Sequence, residues 1–173
     1  MSARNYAVSF TVDQSPQAAF DAINDVRGWW SQAVEGETDR LGAVFYHHYQ
    51  DVHHCILKVT ELVPGKRVVW HVLHNDFNFV KDRTEWNDTD VIFEIARKGD
   101  KTELRFTHHG LVPDYECYDV CSNAWGQYIT GSLRKLITTG QGEPNAVEQA
   151  ADHQEGVVAK VREMKRKLRS GQV

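Results

Sequence analysis

The chain has 173 residues, 41% of them hydrophobic, with 20 Lys and Arg against 24 Asp and Glu and a formal charge of −4. A chain of this length buries roughly 70% of its unfolded surface, so it needs neither disulfide nor metal to hold a core, and its acidic balance lacks the basic footprint of a nucleic-acid binder. No run approaches about 18 apolar residues, which argues against a membrane-spanning helix, and the opening Met-Ser-Ala-Arg-Asn-Tyr has no signal-peptide core.

Tyr6, Val8, Phe10 and Val12 alternate with Ala7, Ser9 and Thr11, which predicts a half-buried first strand. Ser15-Pro16 follows, a serine N-cap with proline at the first helical position, and Ala19, Phe20 and Ile23 give a short helix ending near Asn24. Gly28-Trp29-Trp30 comes just after it. Strands are then predicted over 44–50, 52–63, 68–74, 89–97 and 102–109, most of them separated by the turn signals Pro64-Gly65, Gly99-Asp100 and Gly110 with Pro113. Residues 75–87 are the longest expected irregular connection.

Residues 115–144 predict one long helix. Tyr118, Cys121, Trp125, Tyr128, Ile129, Leu133, Leu136 and Ile137 share one face at helical spacing. Gly140, Gly142 and Pro144 then stop it. Asp114 and Glu116 are expected to answer the positive end of its dipole. The order strand, helix or helix pair, antiparallel strands, long helix predicts an α+β domain in which a curled sheet faces that helix. Residues 1–144 form this domain. Residues 145–173 read as a polar linker and a basic amphipathic tail helix with Val157, Val161, Met164 and Leu168 in its stripe, a solvated appendage or a homodimer or partner contact.

Three cysteines, Cys55, Cys117 and Cys121, have no framework spacing, and the expectation is a reduced, cytoplasmic protein. The adjacent pairs His47-His48, His53-His54 and His108-His109 cannot chelate one ion from a regular strand, because neighbours point to opposite faces, so no metal site and no cofactor is expected. There is no nucleophile elbow, phosphate loop or dinucleotide fingerprint, so the first reading is not an enzyme.

The first strand, the Ser15-Pro16 helix, the Gly28-Trp29-Trp30 step and the run Val59 to Trp70 resemble the SRPBCC superfamily, also called START-like or birch-pollen-allergen-like. Thr102 to Leu111, the segment from Trp125 to Leu133, and Thr139-Gly140-Gln141-Gly142 resemble its branch named for the C-terminal domain of the activator of the heat-shock protein 90 ATPase. The resemblance covers about residues 4–144. It implies the helix-grip fold, a curved antiparallel sheet wrapped around a long C-terminal helix with a cavity between. It also implies binding of apolar ligands or, in some members, cyclisation or hydration in the cavity.

Strand parity predicts the cavity wall. Leu104 and Phe106 bring His108 inward, Val91, Phe93 and Ile95 share a face, and Cys55, Leu57 and Val59 bring His53 with them while His54 and Lys58 point out. Both faces are bulky in 44–49 and 68–74, where alternation does not choose; Trp70 is taken as a wall residue. The expected ligand-binding set is Trp30, His53, Leu57, Trp70, Phe93, Phe106, His108, Tyr118, Cys121 and Trp125. Aromatic lining with a few polar groups is the pattern of a small-molecule pocket. The expected function is therefore a module binding a small apolar or amphipathic ligand. The alternatives are a co-chaperone acting on a heat-shock protein 90 type ATPase, or a cyclase- or hydratase-type enzyme.

Overall fold

The computed structural model describes residues 4–146 together with 162–163, 166–167 and 170. The tail-stripe residues Val157, Val161, Met164 and Leu168 lie outside the described residues.

Strand β1 (Tyr6–Val12) leads into α1 (Pro16–Asn24) and α2 (Val26–Trp29). Ser15 Oγ accepts from Ala18 N at 3.1 Å, so the predicted cap forms, with proline at the first turn. Strands β2 (Val44–Tyr49), β3 (His53–Val63), β4 (Arg67–Phe77), β5 (Asp90–Lys98) and β6 (Lys101–His109) follow. They form one antiparallel sheet in the order β1-β6-β5-β4-β3-β2. The first and last strands therefore pair, and Tyr6 sits opposite His108.

The long helix is shorter than its sequence signal. It runs from Tyr118 to Thr139 and ends on Gly140, at φ +84°. Asp114 and Glu116 precede it. It comprises α3 (Tyr118–Gly126), a π-helical stretch (Gln127–Leu133) and α4 (Arg134–Thr139), with the helical backbone unbroken across both joints. The buried residues explain the π turn. Cys121, Trp125, Ile129, Leu133 and Ile137 recur every fourth position. An α-helix overshoots by about 40° per four residues, so such a stripe would wind away from the sheet. A wider i→i+5 turn undershoots and brings it back.

Two bulges set the inward faces. The β3–β4 register shifts between Ile56 and Leu57 and again between Val59 and Glu61. Leu57 faces Val72 while Ile56 faces His74, so Leu73 is the extra residue. Trp70 and Val72 are buried on one side of this insertion, and Asn75 and Phe77 on the other. The bulge thus reverses parity within β4, bends the sheet and carries β4 to Phe77, three residues past its expected end. The opposite sheet face carries a smaller buried cluster of Tyr46 and Ile56. His54, expected to point outward, lies on that face yet is fully buried; its Nδ1 is 2.6 Å from Tyr46 Oη. Among the described residues no helix is long and apolar enough to cross a membrane.

Candidate functional site

Beneath the middle of the long helix the interior is filled. Trp29, Trp30 and Trp70 stack nearly parallel, with centroids 5.9–6.2 Å apart. Trp125 lies 5.1 Å from Trp30 and 4.7 Å from Phe106, and Phe93 bridges Trp70 and Phe106 at 4.9 and 5.2 Å. Leu57, Trp70, Phe93 and Phe106 are fully buried in this packed layer, off the wall of the cleft beside it. The open space lies to one side of the stack, a cleft of about 450 Å³.

Of the residues expected at the site, Trp30, His53, Cys121 and Trp125 line that cleft. Tyr118 is half-buried against the core, off the wall. His108 lies one layer behind. The Trp125 indole Nε1–H donates to His108 Nδ1 at 3.1 Å. His108 Nε2 therefore carries the ring proton and donates to Thr89 Oγ1 at 2.8 Å, and Thr89 donates to the Trp86 carbonyl at 2.6 Å. Burial pushes the His108 pKa down to about 3, with the nearby His53 acting in the same direction. His108 is a neutral strut that fixes the Trp125 ring.

His53 stacks on Phe77 at 4.4 Å and donates from Nε2 to Asn75 Oδ1 at 2.7 Å, Asn75 Nδ2 being committed to the Arg83 carbonyl. Burial lowers the His53 pKa to about 3, and the Asn75 partner only partly offsets this. His47 lies face to face with Trp30 at 4.0 Å, and burial holds its pKa well below the usual value. The imidazoles of the cleft are thus uncharged at neutral pH. The Cys117 thiol is pushed up by its hydrogen bond to Cys121, which the protonated form donates, and by burial, and burial alone does the same to Cys55, so neither is a nucleophile at neutral pH.

Several wall residues carried no usable sequence signal. Phe77 and Trp86 fall where an irregular connection was expected. Trp86 is placed by Glu85, a buried carboxylate that accepts from Glu116 N at 2.7 Å and Cys117 N at 3.0 Å just ahead of the long helix. Glu116 reciprocates, accepting from Lys81 N and Asp82 N, so it clasps the loop rather than merely answering the helix dipole. The result lays Trp86 parallel to Trp125 at 5.6 Å. At the other end, Asn145 bonds through its backbone to Trp30 and Gln32 and through Nδ2 to Tyr128 Oη at 2.7 Å. Asn145, assigned from sequence to the linker, thereby closes the cleft. Ser132 donates to the Trp29 carbonyl and accepts from Glu143 N, both at 2.7 Å. Glycine at 142 permits this return: a methyl group there would overlap the Gly28 carbonyl.

The model of the activator of Hsp90 ATPase homolog 1-like protein family matches residues 15–138. Similar folds occur in the Aha1 dimer from Colwellia psychrerythraea (TM-score 0.64, 22% identity, 80% of this chain and 99% of that one). DynU16, a protein of the dynemicin biosynthetic locus, gives a TM-score of 0.60 at 15% identity over 80% of this chain and 48% of its own. MLL2253 from Mesorhizobium loti gives 0.59 at 17% identity over 73% and 92%. None of the curated proteins matches the chain.

Proposed function

The chain belongs to the activator of Hsp90 ATPase homolog 1-like protein family, and from that premise we propose that it is a binding module for a small apolar or amphipathic molecule, held in the cleft beside Trp125. The observation that carries this is the cleft itself. Its volume of about 450 Å³ lies within the roughly 300–1,000 Å³ range of small-molecule sites and would hold about fifteen waters at about 30 Å³ each. Imidazoles held neutral, with pKa values far below 7, are weak general bases, which supports binding over acid–base catalysis.

The test is native mass spectrometry of gently purified protein together with titration of a fluorescent apolar probe. Stoichiometric binding is expected, weakened in Trp125→Ala. Ala124→Phe, which fills the cleft from a half-buried helix position, is expected to abolish it while the fold persists. Absence of any retained molecule and of any probe binding to the wild-type protein would defeat the proposal. The family's name supports a second reading, stimulation of a heat-shock protein 90 type ATPase. Unchanged ATPase turnover on adding this chain to the chaperone would remove it. A cytoplasmic, reducing location accords with three free, buried cysteines, and the Aha1 dimer supports a homodimer, which light scattering in solution checks.

A further inference from the structure

We infer, resting on the reading that the cleft holds a guest, that this guest is uncharged, flat and aromatic, with a hydroxyl or carbonyl group at the end formed by Tyr128 and Asn145. The wall composition points there first. Among the described residues, nine of the seventeen on the wall carry a flat ring; the only aliphatic ones are Val52, Val120 and Ala124, and no Leu, Ile or Met is present. A carrier of alkyl chains needs conformable aliphatic walls. Here Trp30 is locked by stacking on His47, Trp86 by stacking on Trp125, and Trp125 by the His108 strut, and rigid ring faces reward a rigid flat guest through offset and edge-to-face contacts. A flat guest also has no internal rotations to lose, whereas a chain filling the same volume does.

Charge decides the next property. Among the described residues Glu143 is the only carboxylate, Lys or Arg side chain on the wall, it is exposed, and Lys135 already holds it at 2.7 Å. Among the described residues the wall presents no cation, so an anionic guest would give up its hydration and gain no counter-charge from them.

Orientation follows from the two unlike ends. Phe77, Phe79 and Trp86 gather at one, with centroids 5.1 and 5.4 Å apart. At the other, Tyr128 Oη accepts from Asn145 Nδ2, which leaves the tyrosine O–H to donate to a guest oxygen. Asn145 is itself pinned through both of its backbone groups. The polar end is therefore preorganised.

The experiment is calorimetric titration of the full chain, near neutral pH, with 2-naphthol, naphthalene, decan-1-ol and 2-naphthoate. 2-Naphthol should bind about tenfold tighter than decan-1-ol, which has the same number of heavy atoms, and than 2-naphthoate. Tyr128→Phe should weaken 2-naphthol severalfold and leave naphthalene unchanged. Equal or tighter binding of decan-1-ol or 2-naphthoate overturns the inference while leaving the cleft a binding site. A Tyr128→Phe effect that is absent, or equal for 2-naphthol and naphthalene, overturns the orientation. Failure of every probe, together with an empty native mass spectrum, removes the underlying proposal as well.

Discussion

Lowering the pH should unfold this protein while most of its carboxylates remain ionised, because its buried imidazoles have to charge. His53 and His108 have folded pKa values of about 3 against an ordinary value of 6.5. Each folded value is depressed, so between about pH 6.5 and 3 the unfolded chain holds the extra proton and stability falls as pH falls. Above about 6.5 both states are neutral and the stability is fully present. Each histidine contributes a slope of about 1.4 kcal/mol per pH unit. Across the 1.5 units from pH 6.5 to 5 the pair removes about 4 kcal/mol, and His47, shifted the same way, adds to this. A domain of this kind holds about 5–15 kcal/mol in total, so this loss removes most of the stability at the low end of that range, and half-unfolding is expected at or below about pH 5. The raised pKa of His71, caused mainly by its hydrogen bond to Asp90, acts in a window above 6.5 and does not offset the loss. Urea unfolding followed by tryptophan fluorescence at several pH values gives the proton uptake from the slope. His108→Gln should lower that uptake by about one proton. An uptake below about one proton between pH 6 and 5 would refute the assignment of neutral buried imidazoles.

Two glycines of the long-helix region should respond oppositely to alanine. At Gly131 an added methyl meets nothing within 4 Å and the backbone is helical, so Gly131→Ala should raise stability by about 0.5–1 kcal/mol; at Gly142 the methyl would strike the Gly28 carbonyl and crowd Ser132 O at 3.0 Å, so Gly142→Ala should lower the urea midpoint and loosen the Asn145 closure. Glu85→Gln leaves the two backbone N–H groups ahead of the long helix with a weaker, neutral acceptor, and should cost about 1–2 kcal/mol with a red shift in fluorescence as Trp86 lifts from Trp125. An unchanged urea midpoint and spectrum in Glu85→Gln would mean the clasp does not position the ring.

Much of this architecture is a local matter and was legible along the chain. The alternation from Tyr6 to Val12, the Ser15-Pro16 cap, the Gly65, Gly99 and Gly110 turns and the apolar stripe through Trp125 each depend on residues a few positions apart. Regular alternation in β5 and β6 also identified Phe93, Phe106 and His108 as inward, and they are buried. Tertiary packing decided whether an inward residue meets solid core or open space. Phe106 and Trp70 share their facing with Trp30 and Trp125, yet only the latter pair reaches the cleft. The Leu73 bulge reversed parity within β4, and a period-2 reading has no means of anticipating a single inserted residue. Glu85 and Asn145 act on partners 17 to 115 positions away along the chain. Sequence periodicity determined the sheet, the helix and their facing sides, because those follow from the repeat of the backbone. The place and shape of the cleft follow from where rings of fixed size stop interlocking, which is settled only when distant segments close on one another.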